Sequence, residues 1–197
     1  MLFARAAGHR ATEVRLSRIR GYIGLVGIAS AVIALDQLSK YLVRTNLTFG
    51  ETWSPFPWLG RFARLVYWNN TGAAFGLFPS GGLIFTVIAV VVSAAILYYY
   101  PRLPQGHFTL RLALALQLGG AIGNLIDRLL HGTVIDFISV GSFPVFNLAD
   151  SSISIGVAIL IATMWIDERR SRGAELVGLE QGALSGPASS GSEHSLE

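Results

Sequence analysis

The sequence predicts an all-α membrane protein of four transmembrane helices, with a small extracytoplasmic β-like segment between helices 1 and 2. Three observations carry that prediction. Hydrophobic residues make up 52% of the 197-residue chain and charged residues only 14%, where a soluble domain carries roughly 25% charged. Four segments are apolar over about the 20 residues a helix needs to cross hydrocarbon. The flanks of those segments differ in their Lys and Arg content, the asymmetry that sets membrane orientation.

Residues 1–20 hold Arg5, Arg10, Arg15, Arg18 and Arg20 against the single acid Glu13. A basic stretch can bind nucleic acid, but one that directly precedes an apolar run more simply sets orientation. It reads as a basic cytoplasmic N-terminal segment, and no nucleic-acid partner is expected. A cleavable signal peptide fits poorly, because the apolar run is of spanning length and no small-residue cleavage site stands at its end. The first span is expected at residues 22–43, interrupted near its far end by Asp36 and Lys40. The second, 81–100 (GGLIFTVIAVVVSAAILYYY), carries no charge. The third, 109–130, has Arg111 at its start and Asp127-Arg128 at its finish. The fourth, 151–166, is shorter and is stopped by Asp167-Glu168-Arg169-Arg170. Together they form one membrane domain over residues 21–170, and the Gly/Ser-rich residues 171–197 read as a disordered cytoplasmic tail.

Orientation follows from the flanks. Arg102 lies between spans two and three with no acid, and Arg169, Arg170 and Arg172 follow span four, whereas residues 131–149 hold neither Lys nor Arg. Arg44, Arg61 and Arg64 dilute the bias in the 44–80 connection. Both termini are therefore expected in the cytoplasm, with the 44–80 and 131–149 loops outside. Trp53, Phe56, Trp58, Tyr67 and Trp68 concentrate rings in the first of these loops, where a membrane interface favours them. Arg61–Trp68 (RFARLVYW) suits either a short strand on the membrane surface or an irregular interfacial loop. Gly72–Gly76 (GAAFG) and Gly119–Gly123 (GGAIG) match the small-xxx-small pattern that lets helix backbones approach. The chain has no cysteine, which excludes disulfides and thiolate chemistry.

Ionisable groups within membrane helices are costly, so each needs an explanation. Asp36 and Lys40 lie four apart on one helix face and suit an ion pair. Asp127 and Arg128 are helix neighbours pointing about 100° apart, so each is expected to find its own partner. Asp136 lies in an uncharged loop just beyond span three, and Asp150 immediately precedes span four. Position alone favours an N-cap for Asp150, while Asp136 has no comparable structural role. If spans three and four are antiparallel neighbours, the two carboxyl groups share a depth. Two close carboxylates do not both ionise easily, and such a pair can do the acid–base work of an aspartyl protease. Asn70, Asn124 and Asn147 are expected at the outer ends of spans, either donating to a substrate or bonding between helices.

Over roughly Asp36 to Ile166 the chain resembles bacterial lipoprotein signal peptidase, or signal peptidase II, the aspartyl peptidase family A8. The matching segments are Asp36-Gln37-Leu38-Ser39-Lys40, Asn70-Thr71-Gly72-Ala73-Ala74-Phe75, the run from Gly119 to Arg128 (GGAIGNLIDR), Val134-Ile135-Asp136-Phe137, and Phe146-Asn147-Leu148-Ala149-Asp150-Ser151. The resemblance implies a catalytic dyad of Asp136 and Asp150, a substrate site lined by Asn70, Asn124, Arg128 and Asn147, and structural support from Asp36 and Lys40. It implies cleavage of prolipoproteins before a cysteine that already carries a diacylglyceryl group. The implied setting is the bacterial inner membrane, with the site near its outer face, the lipid between the helices, and neither metal nor organic cofactor. The stretch between Asp136 and Asp150 is short beside members with a Trp-rich insertion, so a reduced cover over the site is expected.

Two rival functions remain at this level. A small proton-coupled transporter also carries intramembrane acids, but near the bilayer middle. A non-catalytic assembly protein also uses glycine-rich helix faces. A serine or zinc protease lacks its motif here, since neither Gly-x-Ser-x-Gly nor His-Glu-x-x-His occurs.

Overall fold

The computed structural model describes residues 2–72, 81–103 and 106–184. Four helices dominate: α1 (Leu2–Asn46), α2 (Gly82–Tyr99), α3 (Phe108–His131) and α4 (Leu148–Leu184). Each forms a segment long and apolar enough to cross a membrane, the second together with the 3-10 turn Tyr100–Arg102 that follows α2: Gly21–Asn46, Gly82–Arg102, Phe108–His131 and Leu148–Gly173. The four expected spans are all present, the first and last longer than the sequence suggested. Two compact units divide the chain, Met1–Leu160 and Ile161–Glu197. The first holds the sheet, the first three helices and the start of α4. In the second, α4 runs on to Leu184, with Ile161, Met164 and Trp165 exposed and the Arg169 guanidinium 3.9 Å from the Trp165 ring centre. Residues 171–184 of the expected tail are thus helical. Residues 185–197, and all of the Gly72–Gly76 motif except Gly72, lie outside the described residues.

Polarity in this protein is inverted. Leu83, Ile84, Val87 and Val91 on α2 face outward, while Lys40, Asp36, Asp127, Asp136 and Asn147 are among the largest fully buried side chains. Water would reverse that distribution, and a hydrocarbon solvent accounts for it. An apolar cluster of Leu25, Ala29, Ile96, Tyr100, Ala115 and Leu118 packs α1, α2 and α3 at one end, and the buried polar groups gather at the other.

Glycines on α3 set how closely the helices meet. A Cβ on Gly119 would lie 2.7 Å from Val32 Cβ on α1, and one on Gly123 would lie 2.8 Å from Asp36 Oδ2. On the opposite face, a Cβ on Gly120 would run into Ala149 O and the Ser152 hydroxyl of α4. The expectation of tight packing at GGAIG holds on both sides of α3. Gly132, at φ 72°, ends α3 in the left-handed conformation that glycine adopts without a Cβ penalty, and its N–H donates to Arg128 O at 3.0 Å.

The end that holds the buried polar groups carries a three-stranded antiparallel sheet in the order β1 (Thr52–Trp53), β2 (Ala63–Asn70), β3 (Val134–Val140). The expected strand near 61–68 is β2, shifted toward Asn70 because Leu59–Arg61 forms a 3-10 turn. The third strand is new. Residues 134–140 were expected as loop, yet Val-Ile-Asp-Phe-Ile-Ser-Val is rich in β-branched and aromatic residues, and pairing with β2 satisfies its backbone. In the register Trp68 faces Asp136 and Asn70 faces Val134, with an irregularity between Leu65 and Trp68. Phe49 stacks on Trp68 at 5.3 Å, and Trp53, Phe56 and Trp58 are exposed, as rings at a membrane interface should be.

Candidate active site

The sheet delivers one carboxylate and the last helix the other. Asp136 is 1% exposed on β3. Asn70 and Asp136 are diagonal neighbours across the β2–β3 ladder, which brings Asn70 Nδ2 to donate to Asp136 Oδ2 at 2.8 Å. The Asn70 amide is itself fixed, because its Oδ1 accepts from Gly72 N at 2.9 Å. Asn70 therefore closes a strand, which corrects the sequence expectation that it ends a membrane span.

Asp150 sits in the first turn of α4, but it is not the N-cap. Asn147 holds that position: its Oδ1 accepts from Asp150 N at 2.9 Å, while Asp150 Oδ2 accepts from Asn147 N at 3.3 Å. This is a reciprocal capping box, Asn-x-x-Asp, with the acid at the third helical residue. The capping expectation for Asp150 is corrected by three residues. The other oxygen, Oδ1, accepts from Asn124 Nδ2 on α3 at 2.7 Å.

Asn147 joins the two acids. Its Nδ2 donates to Asp136 Oδ1 at 2.7 Å and to Asn124 Oδ1 at 3.0 Å, and the residue is fully buried. Asn124 and Asn147 have their amides committed to the aspartates and to each other. Asn70, Asn124, Arg128, Asp136 and Asp150 line one cleft of about 590 Å³, whereas Asn147 stands behind its wall. The half-buried Arg128 guanidinium couples electrostatically to Asp150 first and then to Asp136, and lies 5.7 Å from the Phe85 ring centre on α2. Asp127 turns the other way, so the two neighbours do find separate partners.

Behind the cleft lies a buried ionic cluster. Lys40 Nζ is 2.7 Å from Asp36 Oδ2 and 2.9 Å from Asp127 Oδ2, and it donates to Asn124 Oδ1 at 3.0 Å. The Asp36–Lys40 pair is as expected, and Asp127 makes it a triad. Two backbone donors complete it: Ala149 N reaches Asp36 Oδ1 at 2.9 Å and Ile135 N reaches Asp127 Oδ2 at 3.1 Å. Gln37, to which the sequence assigned no role, donates to Asp127 Oδ1 at 2.9 Å and to Gly123 O at 3.1 Å. Lys40 thus ties α1 to α3, while Ala149 and Ile135 bring in the residues beside Asp150 and Asp136.

Burial pushes the Asp136 carboxyl up to about 7 from 3.8, with Asp150 as the second cause and the Asn70 and Asn147 amides opposing. The folded protein therefore binds more protons than the unfolded chain between those values, and its stability falls as pH rises through that window. Thermal unfolding of the purified protein in detergent should show a midpoint that declines from about pH 4 to about pH 7 and levels beyond it. Asp136→Asn should remove most of that slope.

Among the described residues no helix stands between β3 and α4. After Gly141 the chain turns back, and Phe137 N and Ile138 N donate to Phe146 O at 3.0 and 2.7 Å. The cover is this turn, with exposed Phe143 lying edge-on to Phe146 at 5.8 Å.

Four apolar spans and a cleft that converges two acids at one end of them define a polytopic membrane enzyme. The chain belongs to the signal peptidase II family: the profile described as "Signal peptidase (SPase) II" matches residues 28–166. It is 50% identical over 133 residues to the lipoprotein signal peptidase of Moorella thermoacetica, covering 68% of this chain and 87% of that protein. The Mesorhizobium japonicum lipoprotein signal peptidase is 47% identical over 145 residues, covering 71% and 84%. The Shouchella clausii lipoprotein signal peptidase is 41% identical over 146 residues, covering 74% and 95%. A solved bacterial membrane enzyme, determined by the in meso method at 2.3 Å resolution, superposes with a TM-score of 0.68 at 33% identity over 73% of this chain and 88% of that one. The family is one of membrane proteases, and the transporter alternative finds no support among these relatives.

Proposed function

We propose that this protein is a membrane aspartyl endopeptidase that removes signal peptides from diacylglyceryl-modified prolipoproteins, cutting before the lipidated cysteine. One observation carries the reading: Asp136 and Asp150 line the same cleft, and a single buried amide, Asn147, holds both. Asp136 keeps a proton near neutrality for the reasons given above. Asp150, hydrogen-bonded by Asn124 and coupled to Arg128, serves as the base. It takes a proton from water as the oxygen adds to the scissile carbonyl. The Asp136 proton goes to the developing oxyanion, and Arg128 offsets the charge that remains. Collapse of the tetrahedral adduct breaks the C–N bond: a hydroxyl proton returns to Asp136 as the carbonyl re-forms, and the proton held by Asp150 passes to the cysteine amine.

Asn70 and Arg128 line the cleft and are proposed to meet the substrate. Asn124 and Asn147 act mainly by positioning the two acids, with Asp36, Lys40 and Asp127 as their support. The protein is proposed to span the bacterial inner membrane with both termini in the cytoplasm and the cleft near the outer face. The arginines at 102 and 169–172, against none in 131–149, support that orientation.

Purified protein in detergent, given a diacylglyceryl precursor peptide, should release the signal segment with cleavage directly before the modified cysteine, read by mass. The same peptide with an unmodified cysteine should remain intact. Equal cleavage of both peptides, or of neither, would overturn the reading.

A further inference from the structure

The cleft continues below the carboxylates. A second hollow of about 260 Å³ lies between α2, α3 and α4, walled by apolar groups such as Ile88, Ala89, Val92 and Ile153. It shares Phe85, Asn124, Arg128 and Asp150 with the cleft above. Beyond the polar groups shared with the cleft, Gln117 interrupts the apolar wall. Gln117 is on the same face of α3 as Ala121, Asn124 and Arg128, at spacings of three and four residues, and all four line the hollow.

The Gln117 side-chain nitrogen has no hydrogen-bond partner among the described residues. Its Nε2 is buried without a hydrogen bond, and an unmet N–H in a hydrocarbon setting is costly. Its place is nonetheless built. Gly156 on α4 leaves the space it occupies, since a Cβ there would lie 2.8 Å from Gln117 Cγ. An occupant that brings an acceptor to this depth would satisfy the donor.

Distance selects the acceptor. Gln117 lies seven residues before Asn124, the residue that binds Asp150, which is about 10 Å along the helix. In a diacylglyceryl cysteine about eight bonds separate the scissile carbonyl carbon from the nearer ester carbonyl carbon. They run through the amide nitrogen, Cα, Cβ, sulfur, two glyceryl carbons and the ester oxygen. Extended at about 1.2 Å per bond, the spacing of a stretched backbone, they span on the order of 10 Å. A scissile bond at the aspartates therefore sets an ester carbonyl level with Gln117.

We propose that Gln117 donates a hydrogen bond to an acyl-ester carbonyl of the substrate's diacylglyceryl group and makes the protein selective for ester-linked over ether-linked lipid. The proposal rests on the lipoprotein-precursor reading above and adds a specificity-determining residue to it. A dialkyl ether has the same length and apolar bulk but lacks the carbonyl, so the pair isolates this one contact. Gln117→Met keeps the unbranched shape and removes the donor.

Binding tests this apart from turnover. Ester-linked and ether-linked lipopeptides, each with the scissile amide reduced to a methylene-amine, are titrated in maltoside micelles, which contain no ester carbonyl to compete. Wild type should bind the ester form about five- to tenfold more tightly, the range of one neutral hydrogen bond. Gln117→Met should bind both alike, with its ether affinity unchanged, and Gln117→Leu should repeat the result with a second apolar side chain. Equal wild-type affinities, or selectivity that survives in both variants, would overturn the proposal. If wild type discriminates between the lipids yet cleaves no authentic precursor, the lipid contact stands and the peptidase reading falls.

Discussion

Asp136→Asn and Asp150→Asn should each lower kcat/KM on a lipidated precursor by roughly three to four orders of magnitude, the scale of losing an essential acid or base. The protein should remain folded in both cases, because the substitutions keep shape and replace only one oxygen. Their structural costs can be stated from their partners. Asp136 accepts from two amide donors, Asn70 Nδ2 and Asn147 Nδ2, and an asparagine there leaves one of them facing an NH₂. Turning Asn70 to compensate breaks its bond from Gly72 N. Asp150→Asn similarly sets its new NH₂ against Asn124 Nδ2 or Asn147 N. Each variant should lose about 1–3 kcal/mol of stability, which leaves the protein assembled while turnover disappears. Cleavage by mass and thermal unfolding on the same samples separate the two effects. Undiminished cleavage in either folded variant would remove that residue from the chemistry.

Lys40→Met has the largest expected effect on stability. Lys40 is 2% exposed and is bonded to Asp36, Asp127 and Asn124. Its removal leaves two buried carboxylates with no cation between them, a change that typically costs about 3–5 kcal/mol. The variant should accumulate poorly, and its unfolding midpoint should drop sharply. The combined Asp36→Asn, Lys40→Met, Asp127→Asn variant removes all three charges together and should recover much of that loss, because breaking an ion cluster is worse than replacing it. A Lys40→Met protein as stable as wild type would show that the cluster carries little of the fold.

The spans were legible because hydrocarbon leaves a one-dimensional signature, a run of about 20 apolar residues. The Asp36–Lys40 pair was legible because its geometry is local to one helix. Asp127 was not recognised as its third member, since the contact crosses from α3 to α1. The strand at 134–140 was overlooked although its residues favour a strand. A segment between two membrane spans reads first as a loop, and its partner β2 lies far away in sequence. The Asp150 assignment missed by a single turn. Taking the helix to start at Ser151 made the acid the cap, whereas starting at Leu148 makes Asn147 the cap and the acid its reciprocal partner. Gln117 gave no signal of its own, because a polar residue in a span shows its orphaned donor only once the neighbouring helices are in place.

The capping amide of Asn147 also has a consequence in time. On the reading proposed above, the same side chain that starts the last membrane helix holds the two reactive acids together. Until that helix forms, Asp150 has no fixed relation to Asp136, and the partly synthesised chain carries acids but no hydrolytic centre. Activity is then acquired only when the fourth segment enters the bilayer. A nascent protease built in this order poses no hazard to the peptides emerging beside it.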